Sequence, residues 1–339
     1  MRLNRGNAKE TKAQGELALI ERIRRRAQRN GAAGVRLGIG DDCALLRLRP
    51  REELAVTTDL SIAGRHFQLD AHPAVAVGHR TLARGLSDLA AMGARPVAAF
   101  LSLGLPRALT EAGGRRRAWV EGFLDGLLKL AEEYETQLAG GDLAESPVAV
   151  ADIVLTGAVP QGRALLRSGA RAGDALYVTG TLGGSAVGLE RLKAGKQGAR
   201  GKGVDEALAA HLYPRPRVAQ GLWLQRRGAA TACIDLSDGL STDLKHVCEE
   251  SGVCAEVDAA LLPVARGATL EQALHGGEDY ELLFTAKAGA RLPRAIAGVA
   301  VTRIGQMVRR RSGQPVVTLL KDGRAEELAA RGWEHFSTS

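Results

Sequence analysis

Aromatic residues are scarce in this chain and make up 4% of its 339 residues. Proteins that bind single-stranded nucleic acid without sequence preference stack bases on aromatic side chains, so this class of function is disfavoured. No apolar run approaches the length of a membrane span. The sequence also lacks the G-x-x-x-x-G-K-[ST] of a P-loop and a G-x-G-x-x-G after a strand, so neither nucleotide-binding motif is present.

The four cysteines, Cys43, Cys233, Cys248 and Cys254, form no C-x-x-C pair and match no zinc or disulfide spacing. Such cysteines are typical of small buried side chains or of free thiols in a reducing compartment. Residues 1–15 are basic and polar without an apolar core, which predicts a flexible arm and not a secretory signal. We therefore expect a cytoplasmic protein without a membrane partner.

The formal net charge of +8 favours anionic partners. A phosphorylated small molecule satisfies this charge as well as a nucleic acid does. The alternative is that scattered arginines only keep the protein soluble. The hydrophobic content of 45% and the charged content of 25% are ordinary for a globular protein.

Strand-like and helical segments alternate along the sequence. A β-branched run at 53–60 predicts a strand, and helical spacing of leucines predicts a helix over 73–93. The pattern predicts an α+β chain, built as an α/β sandwich, with two domains. We place these domains at 16–160 and 161–339. Within the second, the Gly- and Lys-rich stretch at 196–202 predicts a mobile surface loop.

Carboxylates recur beside Gly, Ser or Thr, mostly at predicted strand ends, where α/β proteins gather their ligands. In the stretch IDLSDGLSTDL such negative charges are crowded together, although like charges repel unless a cation lies among them. Magnesium prefers hard oxygen ligands and takes only one or two protein carboxylates. Separate acidic turns therefore predict more than one Mg²⁺, bridged by a polyphosphate. The acidic residues are Asp41, Asp42, Asp59, Asp88, Asp142, Asp235 and Asp238.

Each acidic residue also has a structural interpretation. An Asp before Gly is often a turn residue or a helix N-cap. Asp88 follows Arg84 by four residues, which fits a surface ion pair on a helix, although it falls away from the leucine face. Asp243 fits a solvent-facing helix position and is left out of the metal set.

Further segments suggest substrate contacts, each with a simpler alternative. LAGGD and GTLGGSA offer backbone N–H groups to phosphate, the second at a predicted helix start, although such glycines are also common in turns. Arg167 suits a phosphate or a solvent-exposed position. In HGGEDYELLF, the carboxylate of Glu278 suits a positively polarised or amine-bearing group. Trp333 fits a core anchor or a stacking surface for a ring.

Nine segments, spread in one order from about residue 35 to residue 336, make a specific set. They are GIGDDCALL, TTDLSIAGRHF, LSDLAAMGA, GGDLAESP, RSGARAGDALYVTGTLGGSAVGL, HLYPRPRV, IDLSDGLSTDL, HGGEDYELLF and RGWEHF. On these segments the chain resembles the thiamine-monophosphate kinase family. That family belongs to the superfamily of aminoimidazole ribonucleotide synthetase and selenophosphate synthetase.

The resemblance implies a PurM-like two-domain fold. Its N-terminal domain forms a β-barrel at a dimer interface, with ATP near that interface, and its C-terminal domain is α/β. It also implies a homodimer that transfers the γ-phosphoryl group of ATP to thiamine monophosphate, giving thiamine diphosphate. The cofactor implied is Mg²⁺, as several ions, and ATP is the co-substrate.

The resemblance also assigns residues. The implied metal ligands are Asp42, Thr58, Asp59, Asp88, Asp142, Asp235 and Asp238. The implied ATP contacts are Gly141, Arg167, Ser237 and Tyr134. The implied contacts to the thiamine substrate, with an aromatic ring stacked on a thiamine ring, are His66, Glu278 and Trp333.

The acceptor in such a reaction is an ionised phosphate oxygen, so we expect no residue to act as a catalytic base. The sequence departs from the family after GGD, where Leu143 and Ala144 replace two threonines and remove any hydroxyl contact. One alternative is another ATP-using member of the superfamily with a different acceptor. A second is a non-catalytic basic protein that binds anions or nucleic acid. HGGEDYELLF and RGWEHF favour the thiamine enzyme over the first alternative, and the low aromatic content and the absence of a long Lys/Arg stripe disfavour the second.

Overall fold

The computed structural model describes residues 16–27, 34–110, 115–195 and 205–333. The predicted arm at 1–15 and the predicted loop at 196–202 lie outside the described residues, as does the end of RGWEHF. Within the described ranges, no helix is both long and apolar enough to cross a lipid bilayer.

Helices and strands alternate as the sequence pattern predicts. The helices are α1 (Glu16–Ala27), α2 (Ala74–Ala91), α3 (Arg107–Thr110), α4 (Arg115–Glu133), α5 (Gly184–Lys193), α6 (Glu206–Leu212), α7 (Val218–Arg227), α8 (Leu240–Ser251) and α9 (Leu270–His275), with a 3₁₀ turn at Ala259–Leu261. The strands are β1 (Val35–Leu37), β2 (Leu45–Leu46), β3 (Glu52–Ile62), β4 (Arg95–Leu105), β5 (Gln137–Glu145), β6 (Val150–Pro160), β7 (Ala175–Thr179), β8 (Ala232–Asp235), β9 (Cys254–Asp258), β10 (Leu282–Ala286), β11 (Ala295–Ile296), β12 (Val299–Val308), β13 (Val317–Lys321) and β14 (Arg324–Glu327).

Each half of the chain builds its own main sheet. The first sheet has the order β3-β6-β4-β5, in which only β4 and β5 are parallel. The second has the order β14-β13-β9-β12-β7-β10-β8, and β11 pairs with β12 at its side. In the part of the chain that the structure describes, both sheets are open. A barrel would therefore need strands from a second copy.

Helix α2 lies between the two halves. Leu82, Leu86 and Leu89 are fully buried, as their spacing predicts, whereas Val75 in the first turn is 38% exposed. The helix packs closely on α4 because Gly78 has no side chain there. A Cβ at this position would lie 1.8 Å from a backbone oxygen of α4. Glycine therefore fixes the position of α2 and of every side chain that it presents.

One apolar core contains residues from both halves. It joins Leu82 of α2 to Cys233 of β8 and to Leu282 and Phe284 of β10. Leu283 points to the opposite side of β10 and joins the core of the second half. Successive residues of β10 thus face different cores, as alternation along a strand requires. Full burial of such side chains contributes about 2 kcal/mol each, which stabilises this arrangement of α2, β8 and β10.

The cysteines agree with the sequence-based interpretation. Cys233, Cys248 and Cys254 are buried, Cys43 is exposed, and all four are free thiols. Burial raises the pKa of the Cys248 thiol to about 12. This thiol is therefore inert at neutral pH.

Candidate active site between the two halves

A cavity of about 520 Å³ opens between α2, the segment 65–72, α5 and the two turns that flank β8 and β10. Its wall carries charged residues of both signs together with aromatic side chains from Phe67, Tyr280 and Trp333. This volume is typical of small-molecule sites. The position between two cores makes the cavity the candidate active site.

One face of α2 supplies a side of this cavity. Arg80, Arg84 and Asp88 are spaced by four residues, so they lie on one helix face, opposite the buried leucines. Arg84 and Asp88 line the cavity. Arg80 lies behind them and is 5% exposed. The helix therefore brings two cations and one carboxylate to the same place.

Four carboxylates from β3, α2 and the end of β8 line one part of the cavity. They form the acidic wall: Asp59, Asp88, Asp235 and Asp238. Asp59 pairs with Arg84 at 2.6 Å, and a second hydrogen bond joins the Arg84 Nε to the other carboxylate oxygen at 3.0 Å. The Ser87 hydroxyl donates to Asp235 at 2.7 Å. An arginine thus holds the Asp59 carboxylate, whereas a hydroxyl group holds that of Asp235.

The pKa values of three carboxylates of the acidic wall are raised. Burial raises the pKa of Asp59 to about 6 despite the charge of Arg84. Burial, with the neighbouring charge of Asp88, raises the pKa of Asp235 to about 7. Burial also raises the pKa of Asp88, although a hydrogen bond from Thr57 at 2.5 Å opposes this shift. Burial outweighs the charges of Arg84 and Arg167 at these three carboxylates, so the nearby arginines do not fully offset the cost of placing negative charge there.

A second polar cluster lies at the other side of the cavity. This Arg80 network consists of Arg80, Glu278, His211, Ser185 and His72. Arg80 donates to Glu278 at 2.5 Å and to the carbonyl oxygen of His211. The His211 ring contacts the Ser185 hydroxyl at 3.0 Å and the His72 ring at 3.3 Å. The network joins α2 to α5, α6 and the loop before β10.

Charge is balanced inside the Arg80 network. Burial, with the charge of Arg80, lowers the pKa of His211 to about 3 and that of His72 to about 4. Burial alone would favour a neutral Glu278. The charge of Arg80 prevails and lowers the pKa of Glu278 to about 2. At neutral pH one cation therefore faces one carboxylate, with both histidines neutral.

The loop that carries Glu278 is strained and held against the acidic turn. Glu278 and Tyr280 have φ values of 66° and 51°, in the left-handed region that ordinary residues rarely adopt. Their N–H groups donate to the carbonyl oxygens of Ser237 at 2.8 Å and Leu236 at 2.9 Å. Such strain costs on the order of 1 kcal/mol per residue and is typical of functional sites. The loop and the acidic wall therefore position each other.

The start of α5 does not offer its N–H groups to phosphate. The Asp279 carboxylate accepts hydrogen bonds from the backbone N–H of Gly183 at 2.6 Å and of Ser185 at 3.1 Å. An anion at a helix N-terminus interacts favourably with the helix dipole. The phosphate contact predicted for GTLGGSA is therefore wrong for these two groups, because a carboxylate from another segment already binds them.

The structure brings together part of the site residues expected from the sequence. Those that line the cavity are Asp59, Asp88, Asp235, Asp238, Ser237, His66, Glu278 and Trp333. Those outside the lining are Asp42, Thr58, Asp142, Gly141, Arg167 and Tyr134. The individual roles of both groups stay predictions.

The residues outside the cavity have other surroundings. Asp42 is exposed between β1 and β2. The Thr58 hydroxyl donates to Asp152 at 3.0 Å. Asp142, outside the cavity, and Asp59, which lines it, each lie three residues before the end of their strand, β5 and β3 respectively. Their expected position at strand ends is therefore wrong, because both strands continue past the acidic residue.

Arg167 and Tyr134 differ in their distance from the acidic wall. Arg167 is exposed, yet its charge opposes the burial that raises the pKa of Asp88 and Asp235. The Tyr134 hydroxyl donates to the carbonyl oxygen of Pro216 at 3.0 Å. Arg167 is thus near the carboxylates, whereas Tyr134 joins α4 to the segment before α7.

Two sequence-based expectations about acidic residues are wrong. Asp243 was expected to face solvent, but it is 2% exposed and accepts the N–H groups of Asp238 at 3.1 Å and Gly239 at 3.0 Å. It caps the first turn of α8, a position that helical spacing alone does not reveal. Arg84 pairs across to Asp59 of β3 instead of along α2.

Trp333 and His66 are both accessible from the cavity. Trp333 is 54% exposed, so the core-anchor interpretation is wrong. The His66 Nδ1 accepts the N–H of Ile62 at 3.0 Å, which fixes the orientation of the ring. With its ring held in this way, His66 lines the cavity.

The sequence-based reasoning missed the Arg80 network. The spacing of Arg80, Arg84 and Asp88 by four residues was a signal for one polar helix face. His72 and His211 are 139 positions apart, and nothing in the sequence indicated that they meet. The packing of α6 against α2 and against the segment just before it brings them together.

The acidic wall suits a magnesium ion bound together with phosphate. In the described ranges, no group of three or more His, Cys, Asp or Glu side chains is arranged to hold a metal ion by itself. Magnesium needs fewer protein ligands, because water and substrate phosphates complete its shell. Asp88 and Asp235 supply hard oxygen ligands whose charges lack full compensation, so this donor set fits Mg²⁺.

Comparison with known proteins defines the class of the chain. Residues 40–162 match the family model described as AIR synthase related protein, N-terminal domain. Residues 171–318 match the corresponding C-terminal domain. Together the two matches cover most of the chain and define it as an AIR synthase related protein.

Full-length relatives narrow this class. The chain is 43% identical to the thiamine-monophosphate kinase of Escherichia coli (strain K12), covering 96% of this chain and 99% of that protein. The crystal structure of thiamine-monophosphate kinase from Stenotrophomonas maltophilia K279a has 37% identity and a TM-score of 0.78, covering 92% of this chain and 98% of that one. The chain belongs to the thiamine-monophosphate kinase family.

A third neighbour bears on the ligands of this family. The structure described as AaThiL complexed with AMPPCP and TMP is 31% identical, with a TM-score of 0.73 and 99% coverage of both chains. The α+β, PurM-like fold class expected from the resemblance is confirmed by these neighbours.

Proposed function

We propose that this protein transfers the γ-phosphoryl group of ATP to thiamine monophosphate, giving thiamine diphosphate and ADP. The observation that carries the proposal is the cavity itself, which places the acidic wall within reach of Glu278 and Trp333. This arrangement suits a substrate with a phosphate at one end and a cationic or aromatic group at the other. Membership of the family and the neighbour complexed with AMPPCP and TMP support the same reaction.

Binding of the reacting phosphates is assigned to the acidic wall and to nearby cations. Mg²⁺, when bound, screens the charges of the two phosphate groups so that they can approach each other. Asp88 and Asp235 are the first candidates to hold it, with Asp59 and Asp238 beside them. Arg167, whose charge already acts on Asp88 and Asp235, suits the transferred group.

The bond changes need little covalent help from the protein. An oxygen of the thiamine monophosphate phosphate attacks the γ-phosphorus, and the bond from that phosphorus to the β–γ bridging oxygen breaks. Because the attacking oxygen is already ionised at neutral pH, no side chain has to remove a proton. The side chains therefore act by holding the two phosphates in line and by excluding water from them.

The other end of the acceptor is assigned to Glu278, His66 and Trp333. Glu278 stays anionic because Arg80 lowers its pKa to about 2, and it suits a cationic or amine-bearing ring system. Trp333 exposes half of its side chain at the cavity and offers a face for ring stacking.

A homodimer in the cytoplasm belongs to the same proposal. Leu54, Val56 and Leu60 alternate along β3 and are 48%, 60% and 45% exposed. An exposed apolar face on an edge strand is usually covered by another surface. A second copy of β3 would extend the open sheet toward a closed barrel. Residues 16–160 would then carry the dimer contact and the nucleotide, and residues 161–339 would complete the acceptor site.

The test is product formation from ATP and thiamine monophosphate with magnesium, with and without a chelator. We expect thiamine diphosphate and ADP in equal amounts, abolished by the chelator and restored by excess Mg²⁺. Unphosphorylated thiamine in place of thiamine monophosphate is the matched control and should give no transfer. If ATP binds but no thiamine diphosphate forms, the acceptor is a different one and the proposal fails.

A further inference from the structure

The last three described residues, 331–333, dock onto the start of α8 at the edge of the cavity. The N–H of Gly332 donates to the Thr242 hydroxyl at 3.0 Å, and the N–H of Trp333 donates to the Asp238 carbonyl oxygen at 3.2 Å. The N–H of Arg331 reaches the Ser241 hydroxyl at 3.4 Å. Three successive backbone groups thus contact the first turn of α8 and the turn just before it.

Gly332 fits there only because it has no side chain. A Cβ at this position would lie 2.1 Å from the Asp238 carbonyl oxygen and 2.5 Å from the Thr242 hydroxyl. Real Cβ atoms do not approach a backbone oxygen so closely, and the oxygen belongs to a turn that cannot move freely. Any side chain at 332 would therefore displace the segment and the Trp333 ring that follows it.

The side chain of Arg331 adds a weaker contact. Arg331 Nη2 lies 3.2 Å from Glu271 and 2.8 Å from the His275 ring. Both charged partners are more than half exposed, and exposed ion pairs contribute little because water screens them. The close fit of Gly332 and its hydrogen bond to Thr242 therefore determine the position of the segment more than the ion pair does.

Asp238 connects this segment to the acidic wall. Its N–H donates to the buried carboxylate of Asp243 at 3.1 Å, its carbonyl oxygen accepts the N–H of Trp333, and the residue lines the cavity. The Trp333 backbone is therefore one hydrogen bond away from a residue of the acidic wall. The Asp238 residue thus belongs to the acidic wall and also holds the backbone of Trp333.

We propose that Gly332 and Thr242 are positioning residues that hold the Trp333 ring against the cavity and so set the affinity for the ring part of the acceptor substrate. This inference rests on the proposed function, because it assigns the ring to thiamine monophosphate. Neither Gly332 nor Thr242 lines the cavity, so both act through the Trp333 ring and not by contact with a substrate. Displacement of the ring raises the KM for the acceptor and leaves the KM for ATP unchanged.

The test uses Gly332→Ala and Thr242→Val, with Thr242→Ser as the conservative variant that keeps the hydroxyl. We expect Gly332→Ala and Thr242→Val to raise the KM for thiamine monophosphate about tenfold, with the KM for ATP within about twofold of the parent. Thr242→Ser should keep the parent values. Ala330→Ser, at an exposed position just before the segment, is the matched control and should change neither constant.

A second readout follows the ring directly. With Trp119 and Trp223 replaced by phenylalanine, Trp333 is the one remaining tryptophan of the three. The quenching of its fluorescence by acrylamide should differ between the Gly332→Ala variant and the protein that keeps Gly332, before any substrate is added. If the parent makes no thiamine diphosphate but Gly332→Ala changes the quenching, the proposed function fails while the positioning role of Gly332 stands.

The outcomes divide clearly. Equal quenching and an unchanged KM for thiamine monophosphate in both Gly332→Ala and Thr242→Val would overturn the inference. If Gly332→Ala does not fold, the pair Thr242→Val and Thr242→Ser decides by the same two readouts. A parallel rise in both KM values would also overturn it, because a general loss of packing would then explain the effect.

Discussion

The acidic wall and the Arg80 network border the same cavity, but they differ in how far nearby arginines offset the burial of their carboxylates. In the network, Arg80 lowers the pKa of Glu278 to about 2. In the acidic wall, burial and Asp88 raise the pKa of Asp235 to about 7, although Arg84 pairs with Asp59 and the charge of Arg167 acts on Asp235. Charge that the protein balances itself holds the fold in place, whereas charge left unbalanced indicates where a cationic ligand binds.

The largest effect is expected when the acidic wall loses one carboxylate. Asp235→Asn should lower turnover by about 10³-fold, because a ligand that positions the reacting phosphates is lost. Stability should not fall, since the change removes a buried negative charge beside Asp88 and keeps an oxygen acceptor for Ser87. Thiamine diphosphate formation and thermal unfolding measure the two effects.

Asp174→Asn is the matched control for this substitution. Asp174 is also buried, but it accepts hydrogen bonds from the Arg171 N–H at 2.9 Å and the Thr231 hydroxyl at 2.7 Å. We expect a loss of about 1 kcal/mol of stability with unchanged turnover. Full activity in Asp235→Asn would show that the unbalanced charge is not the phosphate-binding end of the cavity.

The second-largest effect is expected at the ion pair between Arg80 and Glu278. Arg80→Met should lower the free energy of unfolding by about 3 kcal/mol, because it leaves the Glu278 carboxylate without its buried partner. Adding Glu278→Gln should recover part of this loss, since the unpaired charge is then gone. Urea unfolding of both single variants and of the double variant gives the coupling between them. Strictly additive losses would contradict the assignment of a balanced pair.

The Arg80 network should also make stability depend on pH. His72 and His211 have folded-state pKa values of about 4 and about 3, below the ordinary 6.5, because burial and Arg80 disfavour their protonation. Between the folded-state pKa values and 6.5, the histidines bind more protons in the unfolded chain than in the folded one. The stability therefore falls as the pH drops below about 6.5. The slope is at most about 1.4 kcal/mol per pH unit for each histidine. Charges facing the pair include Glu278, which favours protonation, and Lys193, which opposes it.

Urea unfolding from pH 7 to pH 4 measures this dependence. His72→Asn should flatten the curve while keeping a polar side chain. An unchanged slope in His72→Asn would mean that other groups determine the acid sensitivity. The parent protein in the same buffers is the reference for every point.

The sequence was sufficient to predict what depends on local pattern and on family motifs. The leucine face of α2, the strand β3 and the carboxylates Asp59, Asp88 and Asp235 in the cavity all follow from spacing and resemblance. The partners of buried polar groups did not follow, because they come from distant segments. Asp279, which caps α5, and Asp243, which faces inward, depend on tertiary packing that helical periodicity does not contain.

The smallest effect is expected at Tyr134, which lies outside the cavity lining. The Tyr134 hydroxyl already donates to the Pro216 carbonyl oxygen, and burial raises its pKa to about 12, so it stays neutral. Like the polar groups of the Arg80 network, it has its partner within the chain. Tyr134→Phe should therefore cost about 1 kcal/mol of stability and leave the KM for ATP unchanged. A raised KM for ATP would support the nucleotide contact expected from the resemblance. It would also show that a group balanced within one copy of the chain can still take part in binding.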